Sequence, residues 1–141
     1  MNKKIGYHIS EIEKGVVGEY SKIIEEINEL IDAENQNARI MILVELSDLV
    51  GSILLYINKN ELDLDLKLPF LKEKDNINSK TLLKTALMLK DQINKKDIEN
   101  NIKLLIAHIN SYIHNNFSDF NFMDLYIMSN ITSRAFTNGY R

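Results

Sequence analysis

Polar and apolar positions recur with a helical period over most of this 141-residue chain, and the phase of that pattern marks successive helices. From Glu19 to Ala33, the residues Ile23, Ile27, Leu30 and Ile31 share one side of a helix, and Glu19, Lys22, Glu26, Glu29 and Ala33 lie along an adjacent stripe. The polar run Glu34-Asn35-Gln36-Asn37 suits a tight helix–helix connection. A second helix, Ala38 to Ile57, is apolar on nearly every side, which predicts a place in the centre of an assembly. From Asn58 to Asn78 the pattern loosens. ELDLDLKL alternates charge with leucine, predicting a short strand or an extended crossover that Pro69 closes. A third helix is expected from an Asn78 or Ser79 cap to about Lys95, burying Leu82, Leu83, Ala86, Leu89 and Ile93. A fourth, about Asp97 to Asn115, buries Ile98, Ile102, Leu105, Ile106, Ile109 and Ile113; the last runs from about Phe122 to Phe136. Residues 1–17 read as a short lead-in with a turn at Gly15. The expectation is an all-α bundle of about five helices, with residues 1–141 forming a single domain.

Composition narrows the chemistry. There is no cysteine, which excludes disulfides, zinc–thiolate sites and thiol catalysis. A net charge of −3 argues against broad nucleic-acid binding. The N-terminal stretch holds two lysines and no apolar run, so a secretory signal is not expected, and the compartment is read as cytoplasmic. Ile40 to Ile57 has nearly the length of a membrane span. Glu45 and Asp48 lie near its middle, however, where an Asp costs roughly 2.5–3.5 kcal/mol in a membrane helix. A helix buried in a bundle, with no membrane partner, is the better reading.

Those two acids are half of a symmetric set. Glu26-x-x-Glu29 and Glu45-x-x-Asp48 each place two carboxylates on one helix face. If the two helices form an antiparallel hairpin turning near Asn37, Glu26 faces Asp48 and Glu29 faces Glu45, because both pairs are centred on position 37. A single acid pair is a weak signal in a chain with 20 acidic residues. The second helix strengthens it, since Glu45 and Asp48 interrupt a surface that leucine would bury better. The bland alternative is that Glu26 and Glu29 are solvated beside Glu25, and that Glu45 pairs with Lys22 or Arg39.

Like charges gather inside a bundle only when something positive holds them. An all-oxygen ligand set favours Mg²⁺, with Mn²⁺ as a substitute, over zinc. A di-iron bundle would carry Glu-x-x-His, and His8, His108 and His114 fall away from the acid pairs in sequence. Magnesium among carboxylates commonly holds phosphates and activates water for attack on phosphorus. Lys22 could reach a phosphate oxygen or simply neutralise the acids. Arg134 and Arg141 could clamp phosphate or sit at a solvated helix end. Gly51 and Ser52, one turn beyond Asp48, leave room for a ligand or for close helix packing.

Glu25-Glu26-Ile27-Asn28-Glu29-Leu30 and Glu45-Leu46-Ser47-Asp48-Leu49 resemble the EExxEL and ELxDL motifs of MazG-like all-α nucleotide pyrophosphohydrolases. The wider strings GEYSKIIEEINELIDA and ILVELSDLVGSI, and the tail MSNITSRAFTNGYR, are similar to small phage-type members. Together they span somewhat under half the chain. The resemblance implies Mg²⁺-dependent cleavage of a nucleoside triphosphate to monophosphate and pyrophosphate. Glu26, Glu29, Glu45 and Asp48 match the family's metal ligands, and Glu25 matches an adjacent catalytic acid that binds a second metal or orients water. Lys22 and Arg134 stand as substrate-phosphate contacts. The resemblance also implies a homodimer or homotetramer. Phosphoribosyl-ATP hydrolysis ranks lower, because the match beyond the acids is to the phage-like tail. The departure lies at about 58–103, an insertion relative to small members, which motivates an alternative: a non-catalytic helical module that binds a nucleotide or a protein.

Overall fold

A computed structural model describes residues 8–64, 77–117, 120 and 124–129. Four α-helices follow in order: α1 (Tyr20–Asn35), α2 (Arg39–Lys59), α3 (Ser79–Leu87) and α4 (Lys95–Asn116), with a 3₁₀ turn, Met88–Asp91, after α3. Residues 124–129 are also helical, and no strand occurs among the described residues. The alternating segment after Asn58 is therefore not a strand where it is described. Glu61 turns there with φ 54°, and residues 65–76 lie outside the described part.

The connection between α1 and α2 is three residues long and is closed by backbone bonds from Asn37 to Glu34 O and from Ala38 to Ala33 O. Asn37 takes φ 58°, a left-handed conformation that asparagine tolerates better than branched residues. So short a link folds α2 back onto α1. Helix α1 packs against both α2 and α3, and α3 packs against α4. The shared core takes Ile23, Ile27 and Leu30 from α1, Leu46, Leu49, Val50 and Ile53 from α2, Leu82 and Ala86 from α3, and Ile102, Leu105 and Ile109 from α4. Polar ties reinforce it. Glu34 on α1 accepts from Tyr112 Oη on α4 and from Ser79 Oγ, the first residue of α3, at 2.5 Å. Arg39, at the start of α2, donates to Asn116 O at 3.2 Å and stacks on the Phe117 ring.

The third helix ends earlier than its pattern predicts. Asn78 caps it as expected, accepting from Thr81 N, but helical geometry stops at Leu87 and Gln92 is extended. Asn94 accounts for the break: its side chain accepts from Lys96 N and Asp97 N, starting α4 two residues before the expected position. Ile93, expected in the core, is consequently 94% exposed.

Helix α2 is long and apolar enough to cross a membrane by length and composition. Eight of its residues, Glu45 among them, are buried within the fold, while Ile40, Val44 and Leu55 stay exposed. Gly51 serves close packing: a Cβ there would meet Ser129 Oγ at 2.4 Å, so the glycine admits the 124–129 helix. Ser52 turns its hydroxyl to Leu49 O at 2.7 Å, away from any ligand role.

Candidate metal centre

Glu26 and Glu29 stand one turn apart on α1, and Glu45 and Asp48 do the same on α2. Packing the two helices together brings one carboxylate oxygen from each of these four residues within 4.8 Å of all the others. Glu26 and Glu45 are buried, whereas Glu29 and Asp48 are half-buried. In a regular octahedral Mg²⁺ site, with bonds of about 2.1 Å, opposite ligands lie about 4.2 Å apart. Adjacent ligands in such a site lie closer, at about 3.0 Å, so the four side chains would draw together to share one cation.

Without a cation the group is electrostatically costly. Burial, with the Glu29 charge beside it, pushes the Glu26 carboxyl up to about 7. Burial and the neighbouring Glu45 raise Glu29 in the same direction. Asp48 is raised to about 6, first by burial and then by Glu26. In addition, Glu26 Oε1 is enclosed with no hydrogen-bond partner among the described residues. Buried acceptors are normally satisfied, and either a cation or a proton shared with Glu29 would satisfy this one. The donor set, all oxygen, could hold Mg²⁺ or Mn²⁺.

Lys22 lies on the rim. Its Nζ is 3.1 Å from Glu25 Oε1 and 3.1 Å from Glu26 Oε2. Burial works against its charge, but Glu26 and Glu25 outweigh that and raise its pKa. Of the roles open to it in sequence, it fills the neutralising one here. Arg39, the other cation considered for Glu45, is engaged instead with the end of α4. Glu25 is buried but stands outside the group of four. It accepts from Gly15 N at 2.8 Å and from Lys22, with Lys14 Nζ 3.7 Å away. Against the cost of burial, these contacts hold its carboxyl below the usual range. Arg134 and Arg141 lie outside the described residues.

A third element completes the site, and its contribution was not legible from spacing. Residues 8–18 are not helical; they lie against α1 as a strap. Asp32 pins one end by accepting from Ile9 N at 3.0 Å and Ser10 N at 2.9 Å. Glu25 holds Gly15, and Ser21 Oγ accepts from Val16 N at 2.9 Å. Gly15 is the only residue type that fits, since a Cβ would sit 2.2 Å from Ser21 O. The strap carries His8 to the acids: Nδ1 is 3.0 Å from Asp32 Oδ2, and Nε2 is 3.3 Å from Glu45 Oε2 and 3.7 Å from Glu29 Oε1. The expectation that His8 falls away from the acid pairs is thereby corrected. Sequence distance hid it, because a non-helical segment has no periodicity to register it against α1. Asp32 was the available clue: it continues the Glu26, Glu29 stripe at the same three-residue step, and it is buried. Burial opposes its charge, but hydrogen bonds from Ser10, His8 and Ile9 hold it down at about 2.

No family model, curated protein or solved structure matches this chain. Four carboxylates from two helices, with one lysine and one imidazole beside them, make an acidic cluster suited to a divalent cation and, through it, to an anionic ligand.

Proposed function

We propose that this chain is a Mg²⁺-dependent nucleotide pyrophosphohydrolase of the MazG-like kind, cleaving a nucleoside triphosphate or related nucleotide to monophosphate and pyrophosphate. The convergence of Glu26, Glu29, Glu45 and Asp48 into one buried group is the observation that carries it. The motif resemblance supplies the reaction class, and the orphaned Glu26 oxygen supports a cation as the missing partner.

In this reading the four carboxylates hold the metal on facing turns of α1 and α2. Bound there, Mg²⁺ supplies charge neutralisation for the phosphates and acidity for an attacking water. The helices provide positioning: each acid pair is fixed by a turn of backbone, so little reorganisation is needed when charge develops. Lys22, now 3.1 Å from Glu26, would exchange that contact for a phosphate oxygen of the substrate. Glu25 is assigned from the resemblance as the acid that orients water, which requires its bonds to Gly15 and Lys22 to open. Arg134 is a further phosphate contact by resemblance. The exposed Ile40, Val44 and Leu55 on α2 favour a homodimer or homotetramer in which a second copy covers them.

The test is a panel of standard, modified and alarmone nucleotides with Mg²⁺, monitored for monophosphate and pyrophosphate. Release is expected for at least one, with Glu45→Gln and Asp48→Asn reducing it by at least about 100-fold, as loss of a group that stabilises the transition state does. No turnover by folded protein across the panel would leave the second reading, a nucleotide-binding or protein-binding module. The strap lying on the acid group, with His8 against Glu29 and Glu45, favours that alternative.

A further inference from the structure

The imidazole against the acid group is built like a metal ligand. Asp32, with 1% of its surface exposed, accepts from Ile9 N, Ser10 N and Gln36 Nε2 at 2.9–3.0 Å, so it is an acceptor toward His8 as well. Of the two tautomers of a neutral ring, the one with its proton on Nδ1 suits that 3.0 Å contact and leaves the Nε2 lone pair for a cation. A buried carboxylate holding one ring N–H, with the other ring nitrogen aimed at further ligands, is the usual support for a metal-bound histidine. Here Nε2 is aimed at Glu45 Oε2, 3.3 Å away, and Glu29 Oε1, 3.7 Å away. With metal–ligand bonds of about 2.1 Å, those separations subtend angles of roughly 100–125° at a shared cation, within the range such ions accept.

We infer that His8, Glu29 and Glu45 form a second cation position beside the all-carboxylate one, and that it takes a transition-metal dication such as Mn²⁺, Co²⁺ or Zn²⁺ in preference to Mg²⁺. The inference rests on the carboxylate group being a cation site, and not on any hydrolysis. Glu29 and Glu45 belong to both groups, and each has two oxygens, so the same two side chains can serve both positions. An imidazole nitrogen suits borderline cations and is a poor partner for Mg²⁺, which keeps to oxygen. The enclosed Glu26 Oε1 belongs to the neighbouring all-carboxylate group, so the second position rests on His8, its Asp32 support and the two shared acids. Two unlike positions sharing bridging acids would make metal content, and not only metal presence, a property set by the strap.

The measurement is Mn²⁺ uptake by the full chain, followed by calorimetry and by pulsed EPR, which detects ¹⁴N bound to Mn²⁺. The unmodified protein is expected to take up two Mn²⁺ per chain and to show imidazole nitrogen coupling, retained when His108 and His114 are both replaced by alanine. His8→Gln should take up one Mn²⁺, lose the coupling and keep its Mg²⁺ affinity within about twofold. Asp32→Asn should weaken the second Mn²⁺ by about 10–100-fold, the usual cost of losing a carboxylate behind a histidine ligand. One Mn²⁺ without nitrogen coupling in the unmodified protein overturns the His8 assignment and leaves the carboxylate site standing. No divalent cation bound at all overturns both. Because the nitrogen coupling is read first in the unmodified chain, the outcome does not depend on how any variant folds.

Discussion

Replacing Glu26 with glutamine should stabilise the protein in the absence of metal and destabilise it, relative to the unmodified chain, in its presence. Glu26 is only 5% exposed, and burial beside Glu29 lifts its carboxyl from an ordinary 4.5 to about 7. At 1.36 kcal/mol per pH unit, carrying that charge in the folded state above pH 7 costs about 3 kcal/mol relative to the unfolded chain. The sign follows from proton binding. Between pH 4.5 and 7 the folded state holds a proton the unfolded state has released. The group's favourable contribution is therefore complete below pH 4.5 and is lost as pH rises through 7. Glutamine has no charge to lose, so Glu26→Gln should flatten this part of the stability–pH curve. It also removes the Glu26 contact of Lys22, which retains Glu25 at 3.1 Å, so the net gain at pH 8 in a chelating buffer is about 1–3 kcal/mol. Saturating Mg²⁺ reverses the order. At 1,000 times its dissociation constant a cation stabilises its site by about 4.1 kcal/mol, and the variant, lacking one ligand charge, forgoes most of that. Urea denaturation at pH 5 and pH 8, each with chelator and with Mg²⁺, reads all four corners. A variant less stable than the parent in chelator at pH 8, or equal stabilisation of both by Mg²⁺, would refute the electrostatic account.

Two further changes probe the scaffold. Gly15→Ala drives a Cβ onto the Ser21 carbonyl, so the strap must shift and lose its bond to Glu25. We expect a loss of about 1–3 kcal/mol, as in other overpacked positions, and faster hydrogen exchange at the Ile9 and Ser10 amides; unchanged exchange would show that the strap is not held as a unit. Tyr112→Phe removes the donor that ties α4 to Glu34, while Ser79 keeps Glu34 partly satisfied. The phenol stays protonated because burial and then Glu34 raise its pKa, so the lost bond is one to a carboxylate, worth about 1–2 kcal/mol in thermal or urea unfolding. Divalent-cation affinity should not change, and a change would place Glu34 in communication with the acid group.

The sequence alone determined the helices and the paired acids. Helices α1 and α2 occupy Tyr20–Asn35 and Arg39–Lys59, close to the expected Glu19–Ala33 and Ala38–Ile57, because an apolar stripe every three to four residues is a local property. The polar run ending at Asn37 marked the turn for an equally local reason: that position takes a left-handed conformation. The gathering of Glu26, Glu29, Glu45 and Asp48 into one group is what two i, i+3 spacings joined by a very short link lead to. Only the tertiary structure decided what meets those acids from outside the helices. His8 lies in an aperiodic segment, and its approach is set by the buried Asp32 and by a glycine contact with the α1 backbone, neither of which leaves a repeating trace in the sequence. The same holds for the end of α3. Leucine spacing favoured continuing the helix, but Asn94 found two backbone donors to cap, and Ile93 went to solvent. Periodicity reports which side of a helix is buried; it does not report which distant, irregular piece of chain will cover a buried charge.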